Sequence, residues 1–257
     1  MLKPTGPNLR RLEIRPGRWG QWLATGAVGL VGFVVLALLL TLSAGIDQFD
    51  QVALAAVISV RGPRLTLLAQ AASWLGSPGA RVGLGIAGAV LLWFRTRRFL
   101  LPIALLAALT ATASLVTILK IVLDRPRPPA SLVVGTPLTD NAFPSGHAAG
   151  GSVVLILIAL LLGVTAAKPR TRWLLMIAGC LLSLLIGWSR SYLGDHGPSD
   201  VVAGWLLAAT MVSVTMILVD LTLAPYPGGE MPDVINQEPT PTALQSTGNQ
   251  GSSQPIS

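Results

Sequence analysis

The chain alternates between long, uninterrupted apolar blocks and short polar clusters. Neither the one-sided stripe of a soluble helix nor the period-two alternation of a strand gives that pattern. Leu30–Leu42 is one such block, thirteen residues with no charge and a single hydroxyl, Thr41. Six blocks reach or approach the ~17 residues that cross a bilayer as helix. They lie near 22–44, 79–95, 99–119, 145–164, 172–188 and 200–221. Between the first two, Asp47 to Pro78 is only moderately apolar and is broken by Arg61-Gly-Pro-Arg64, which predicts one or two short amphipathic helices at the interface. A seventh span over Leu65–Leu75 would be too short, and it would invert everything downstream. The expected fold is therefore all-α: a bundle of six transmembrane helices with short interfacial helices between the first and second spans.

Composition agrees. Hydrophobic residues make up 52% and charged residues 11% of the chain, against about 25% charged in an ordinary soluble domain. The net charge of +7 sits in short clusters between apolar blocks, which fits membrane topology better than nucleic-acid binding. With the N-terminus inside, the cytoplasmic face carries Lys3, Arg10, Arg11, Arg15, Arg18, Arg95, Arg97, Arg98, Lys168, Arg170 and Arg172, eleven of the 18 basic residues. The first apolar run, about twenty residues from Trp22, exceeds the 7–15 of a signal peptide and reads as an uncleaved span. The domain layout expected is a basic cytoplasmic tail over 1–20, a membrane domain over 21–222 and a disordered cytoplasmic tail over 223–257, rich in Pro, Gly, Ser, Thr, Gln and Asn. The single cysteine, Cys180, lies within an apolar stretch and reads as a small buried hydrophobe.

Three polar clusters interrupt this pattern, and the topology places all of them at the outer face. The first runs from Lys120 at the end of the third span through Asp124-Arg125-Pro126-Arg127-Pro128, where the prolines force an extended chain. Lysine and arginine at fixed spacing can grip different oxygens of one phosphate. The second is Phe143-Pro144-Ser145-Gly146-His147, at the head of the fourth span. Proline suits a first helical position, so the N–H groups of Ser145, Gly146 and His147 are expected to form an anion site helped by the helix dipole. The third joins the last two spans as Ser189-Arg190 through Asp195-His196-Gly197-Pro198-Ser199-Asp200. Pro198 is expected to start the final helix, which lets Asp200 reach back to one nitrogen of His196 and leaves the other nucleophilic.

Lys120-x6-Arg127-Pro128, then Pro144-Ser145-Gly146-His147, then Ser189-Arg190-x5-His196-x3-Asp200 together resemble the three-part signature of the type 2 phosphatidic acid phosphatase (PAP2) superfamily. The resemblance covers roughly residues 20–221 and excludes both tails. It implies a membrane phosphatase with His196 as nucleophile, passing through a phosphohistidine, and with Asp200 orienting it. His147 would serve as general acid and then base, and Lys120, Arg127, Arg190, Ser145 and Gly146 would bind the phosphate. The family spacing selects Arg127, leaving Arg125 as a lesser contact. Three cations can neutralise a transferring phosphoryl group without a metal, and no cluster resembles an acidic Mg²⁺ cage. Metal-independent hydrolysis without a cofactor is therefore expected.

A site at the mouth of a helical bundle suits a lipid head group whose tail lies in the bilayer. Phosphatidic acid, phosphatidylglycerol phosphate and a polyprenyl diphosphate such as undecaprenyl diphosphate all satisfy it. A lipid phosphotransferase would use the same site with a different acceptor. A transporter is the rival of another class, and its mark is an ionisable residue in mid-span. The key residues here flank the spans, and mid-span polarity is read as hydroxyls such as Thr110, Thr112, Ser114 and Thr117.

Overall fold

The structure, a computed structural model, describes residues 19–42, 45–166 and 168–223. Of the expected tails, all but Trp19, Gly20 and Leu223 lie outside the described residues, and those three belong to helices. The eight α helices are α1 (Trp19–Leu42), α2 (Gly45–Ser59), α3 (Pro63–Leu75), α4 (Pro78–Thr96), α5 (Leu100–Leu123), α6 (Gly146–Thr165), α7 (Pro169–Tyr192) and α8 (Pro198–Leu223). One 3-10 turn, Ala130–Leu132, lies between α5 and α6, and no strand occurs among the described residues.

Local sequence explains the boundaries. Proline opens α3, α4, α7 and α8, positions where its missing N–H costs no helical hydrogen bond. Ser77 caps α4 by accepting the Ala80 N–H at 3.3 Å. Helix α5 stops because Asp124 takes a left-handed conformation (φ 43°) while its N–H closes on the Lys120 carbonyl, and Pro126 cannot resume the helix.

Five helices are long and apolar enough to span a membrane alone: α1, α5, α6, α7 and α8. Helices α3 and α4 qualify as a sixth only together, bent by 58° at their junction. The protein is thus a multi-pass membrane protein. Helix α6 is its axis: 61% of its apolar window is buried, against 11% for α1. Leu105 of α5 with Val153, Leu157 and Leu161 of α6 and Met216 of α8 form the main core. At the opposite end, Phe33 of α1 meets Phe143 with ring centroids 5.6 Å apart.

Three expectations change. Cys180 is exposed, not buried. A spanning helix meets lipid on its outer face, so an apolar residue there has no need to turn inward. Pro144 is not the first residue of α6: Ser145 is the N-cap and Gly146 the first helical residue. Arg81, in the first turn of α4, donates to the Gly146 carbonyl at the head of α6 at 2.8 Å. Helices α2 and α3 also do more than line an interface, since they pack on the ends of α7 and α8. Tyr192, fully buried, accepts the Gly62 N–H at 2.9 Å. Arg61 donates to the carbonyls of Tyr192 and Leu132, both at 2.8 Å.

Candidate active site

The three polar clusters converge at one end of the bundle. His196 occupies the turn between α7 and α8 and is 1% exposed. Its Nδ1 stands 3.5 Å from Asp200 Oδ2, a distance at which no hydrogen bond is formed but the carboxylate charge still acts on the ring. Its Nε2 lies 3.2 Å from Arg127 Nη1. A carboxylate beside Nδ1 favours the tautomer with its proton there, leaving a lone pair on Nε2. Burial, foremost, pushes the imidazole down to about 4; Asp200 opposes this and the charges of Arg127 and Arg190 add to it. At neutral pH the ring is an uncharged base with one free nitrogen.

Asp200 is held from two sides. Its Oδ2 accepts the Gly197 N–H at 2.9 Å, and its Oδ1 accepts Arg125 Nη1 at 2.5 Å. Arg125 also reaches Ser199 Oγ at 2.8 Å, Asp47 at 2.7 Å and Asp50 at 2.8 Å. These carboxylates overcome the effect of burial and raise its pKa further. Asp50, 5% exposed, also accepts the Ser199 N–H at 2.9 Å and the Ser199 hydroxyl at 2.5 Å. It thereby satisfies an orphan N–H in the first turn of α8. Its carboxylate fills the space where a β-carbon of residue 197 would stand, so glycine before Pro198 permits the contact.

The phosphate-binding candidates lie on the other side of His196. Arg127 donates to the Asp140 carbonyl at 2.6 Å, Asp140 Oδ1 at 2.7 Å and the Asp195 carbonyl at 2.8 Å. Lys120 donates to Asp140 Oδ2 and to the Asn141 carbonyl, both at 2.5 Å. Asp140 therefore bridges both cations. Burial alone would raise its carboxyl, but the hydrogen bonds and charges of Lys120 and Arg127 hold it down at about 2. Asn141 returns two hydrogen bonds of 2.9 Å, to the Lys120 carbonyl and to Asp124 Oδ1. The segment leading into Phe143-Pro144-Ser145 is thus stitched to the end of α5.

Arg190 closes α7. It pairs with Asp195 Oδ2 at 2.9 Å and donates to Ser73 of α3. The chain folds back there through Gly194 (φ +86°), and the Asp195 N–H returns to the Arg190 carbonyl at 3.0 Å. Burial raises the Asp195 carboxyl, against the pull of Arg190 and Arg127.

Ser145 does not stand as the sequence implied. Its side chain is fully buried and accepts the Ala148 N–H at 3.4 Å. Its own N–H donates to the Asp200 carbonyl at 3.0 Å. That leaves Gly146 and His147, both partly exposed, to present the first two N–H groups of α6, which have no partner within a helix.

All eight residues singled out from sequence thus meet at one end of the bundle. Sequence reading missed Asp140, Asp50, Asp47, Asp195, Ser73 and Arg81, and it undervalued Arg125. A cavity of about 1000 Å³ adjoins the site, lined by Leu40 of α1, Leu54 and Ile58 of α2, Phe143, Arg127 and Asp200 among others.

Residues 101–222 match the model of the PAP2 superfamily, and that segment carries every one of the eight. The chain is 32% identical over 136 residues to an undecaprenyl-diphosphatase of Sulfolobus acidocaldarius, a match covering 50% of this chain and 59% of that protein. It therefore spans less than two thirds of that relative's length. Its fold is that of a transmembrane PAP2-type phosphatidylglycerolphosphate phosphatase of Bacillus subtilis, with a TM-score of 0.72 at 21% identity, covering 79% of this chain and 98% of that one.

Proposed function

We propose that the protein hydrolyses a lipid phosphate or diphosphate through a phosphohistidine on His196. The observation that carries this is the placement of His196: Nδ1 toward Asp200, and Nε2 beside Arg127 at 3.2 Å. In the proposed sequence, Nε2 attacks phosphorus and the bond to the leaving oxygen breaks. Lys120, Arg127 and Arg190 hold the equatorial oxygens, together with the Gly146 N–H. Ser145 holds the turn that presents them. His147 protonates a leaving alkoxide, then takes a proton from the water that cleaves the phosphohistidine and releases inorganic phosphate.

One relative supports the substrate class: it is an undecaprenyl-diphosphatase, and in this chain the candidate site lies at the end of apolar spans. The basic clusters Arg95-Arg97-Arg98 and Lys168-Arg170-Arg172 lie at the α4–α5 and α6–α7 connections, away from the end that carries the site. The positive-inside rule then puts the site on the outer face of the cell membrane and both termini in the cytoplasm.

The test is phosphate release by purified protein from a panel of lipid phosphates and diphosphates, in EDTA. Release that survives EDTA and disappears in His196→Ala is expected. Equal activity in that variant, strict Mg²⁺ dependence, or transfer of the phosphoryl group to a second lipid instead of water would overturn the reading.

A further inference from the structure

Arg81 stands apart from the cations that surround His196. It sits within α4, and a guanidinium inside a membrane protein is costly unless something compensates it. Those four have carboxylate partners: Lys120 and Arg127 share Asp140, Arg190 has Asp195, and Arg125 has Asp47, Asp50 and Asp200. No ion pair to Arg81 occurs among the described residues. The one hydrogen bond of its side chain among the described residues, 2.8 Å to the Gly146 carbonyl, uses a single Nη1–H, and its Nε is buried with no partner there. The chain nonetheless keeps room for it: a β-carbon at Gly150 would collide with the Arg81 guanidinium.

Gly146 and Gly150 bracket His147 on the first turn of α6. The guanidinium therefore lies along the turn that presents His147, and its charge acts on that ring. In the proposed reaction His196 attacks from one side and the leaving group departs toward His147. The two classes of lipid substrate ask different things of that side. A monoester leaves as an alkoxide, which takes the electron pair of the broken P–O bond and needs a proton. A diphosphate leaves as a phosphate monoester, in which the former bridging oxygen takes the electron pair. Its charge is spread over oxygens that need no proton, but they need a cation.

We infer that Arg81 is a leaving-group cation for diphosphate substrates: it binds the phosphate nearer the lipid chain while His196 attacks the terminal phosphorus. The inference rests on the phosphatase reading and narrows its substrate class to a lipid diphosphate. His147 and Arg81 then divide the work, one supplying a proton to an alkoxide and the other charge to a leaving phosphate. The buried Nε–H and the remaining Nη–H groups of Arg81 are donors suited to that phosphate.

The experiment compares farnesyl monophosphate with farnesyl diphosphate, which share one chain, on the purified full-length protein. Variants are Arg81→Gln, Arg81→Lys, His147→Gln and His196→Ala. Arg81→Gln is expected to lower kcat/KM on the diphosphate about 10²-fold, the usual loss for one transition-state donor, and on the monophosphate by less than about tenfold. Arg81→Lys should restore part of the loss on the diphosphate only. His147→Gln should show the reverse preference. If Arg81 merely braces α6, Arg81→Gln will slow both substrates equally, and that result overturns the inference. So does an unchanged rate on the diphosphate. Should Arg81→Gln not fold, as judged by gel filtration and Tm, the ratio of the two rates in Arg81→Lys decides, since bracing leaves that ratio at its parent value. Failure of the parent protein to release phosphate from either substrate, or full activity of His196→Ala, would instead remove the phosphatase reading beneath it.

Discussion

Two clusters of charge flank His196, built from the same residue types, and they differ in how fully their hydrogen bonds are used. On the Asp200 side, Arg125 spends four N–H groups on Ser199 and three carboxylates. Asp50 accepts three hydrogen bonds there at 5% exposure. On the phosphate side, Lys120 uses two of its three donors. Arg127 shares with Lys120 a carboxylate, Asp140, whose side chain is 55% exposed. Asp50 and Asp200 in the first cluster are saturated and buried, while Asp47 at its rim has a side chain 56% exposed, so the cluster can fix a geometry but has little left to offer a ligand. The second is charged, half open and keeps spare donors, which is what an incoming anion requires.

The largest effect tests what lies between the clusters. His196→Ala removes the covalent route, and a loss of about 10⁴-fold or more in kcat is expected, as for the nucleophile of other catalytic units. Acid quenching during turnover should trap a phosphorylated protein in the parent and none in the variant. A phosphoprotein in the variant would move the nucleophile elsewhere.

Next is the open cluster. Arg127→Ala should lower kcat/KM by about 10²–10³-fold. It should also move a pH limb. His196 is neutral down to about 4 because of burial first and the nearby cations second, so its neutral, active form persists as pH falls toward that value. Deleting the Arg127 charge stabilises the imidazolium, raises the pKa and shifts the limb upward. An NMR titration of His196 in each protein reads this directly. A limb that stays in place would show that burial alone sets it.

The saturated cluster should respond more weakly and in a different parameter. Arg125→Gln or Asp50→Asn leaves every group of the open cluster intact but frees Asp200 to turn. A supporting residue of this kind typically costs about 10–100-fold in activity. The loss is expected in kcat, with KM nearly unchanged, because in the proposed mechanism Asp200 orients the nucleophile and does not touch phosphate. A rise in KM matching the fall in kcat would merge the two clusters into one binding site.

The sequence made the open cluster legible except for Asp140, and left the saturated one hidden except for Asp200 and Arg125. Lys120, Arg127, His147, Arg190 and His196 lie at fixed short spacings at the edges of apolar blocks, so topology alone brings them to one level. Asp50 is 150 residues from Asp200, on a helix whose apolar pattern says only that it is amphipathic. Its contact depends on how α2 docks on α8, which no local pattern encodes. Arg81 was hidden differently: with Arg95 it is one of only two charges in a nineteen-residue helix that stays apolar overall, yet burial makes it costly. The spans were readable because a bilayer imposes length and composition on every helix that crosses it. Whether Ser145 caps its helix or meets a ligand was not, since a hydroxyl before a helix can face either its own turn or a ligand.

Asp140 gives the smallest effect and the finest distinction. Its carboxylate holds Lys120 and Arg127 together, and it also stands beside the position a phosphate must take. Asp140→Asn keeps an acceptor oxygen for one cation and removes the negative charge. Two like charges about 4 Å apart in water repel by about 1 kcal/mol, so KM is expected to fall about threefold to fivefold with kcat little changed. Asp140→Ala also removes the acceptor, and its kcat should fall as the two cations separate. With a carboxyl held at about 2, neither result should depend on pH between 5 and 8. If Asp140→Asn raises KM instead, the carboxylate charge is itself part of the binding geometry, and the open cluster is as tightly built as the saturated one.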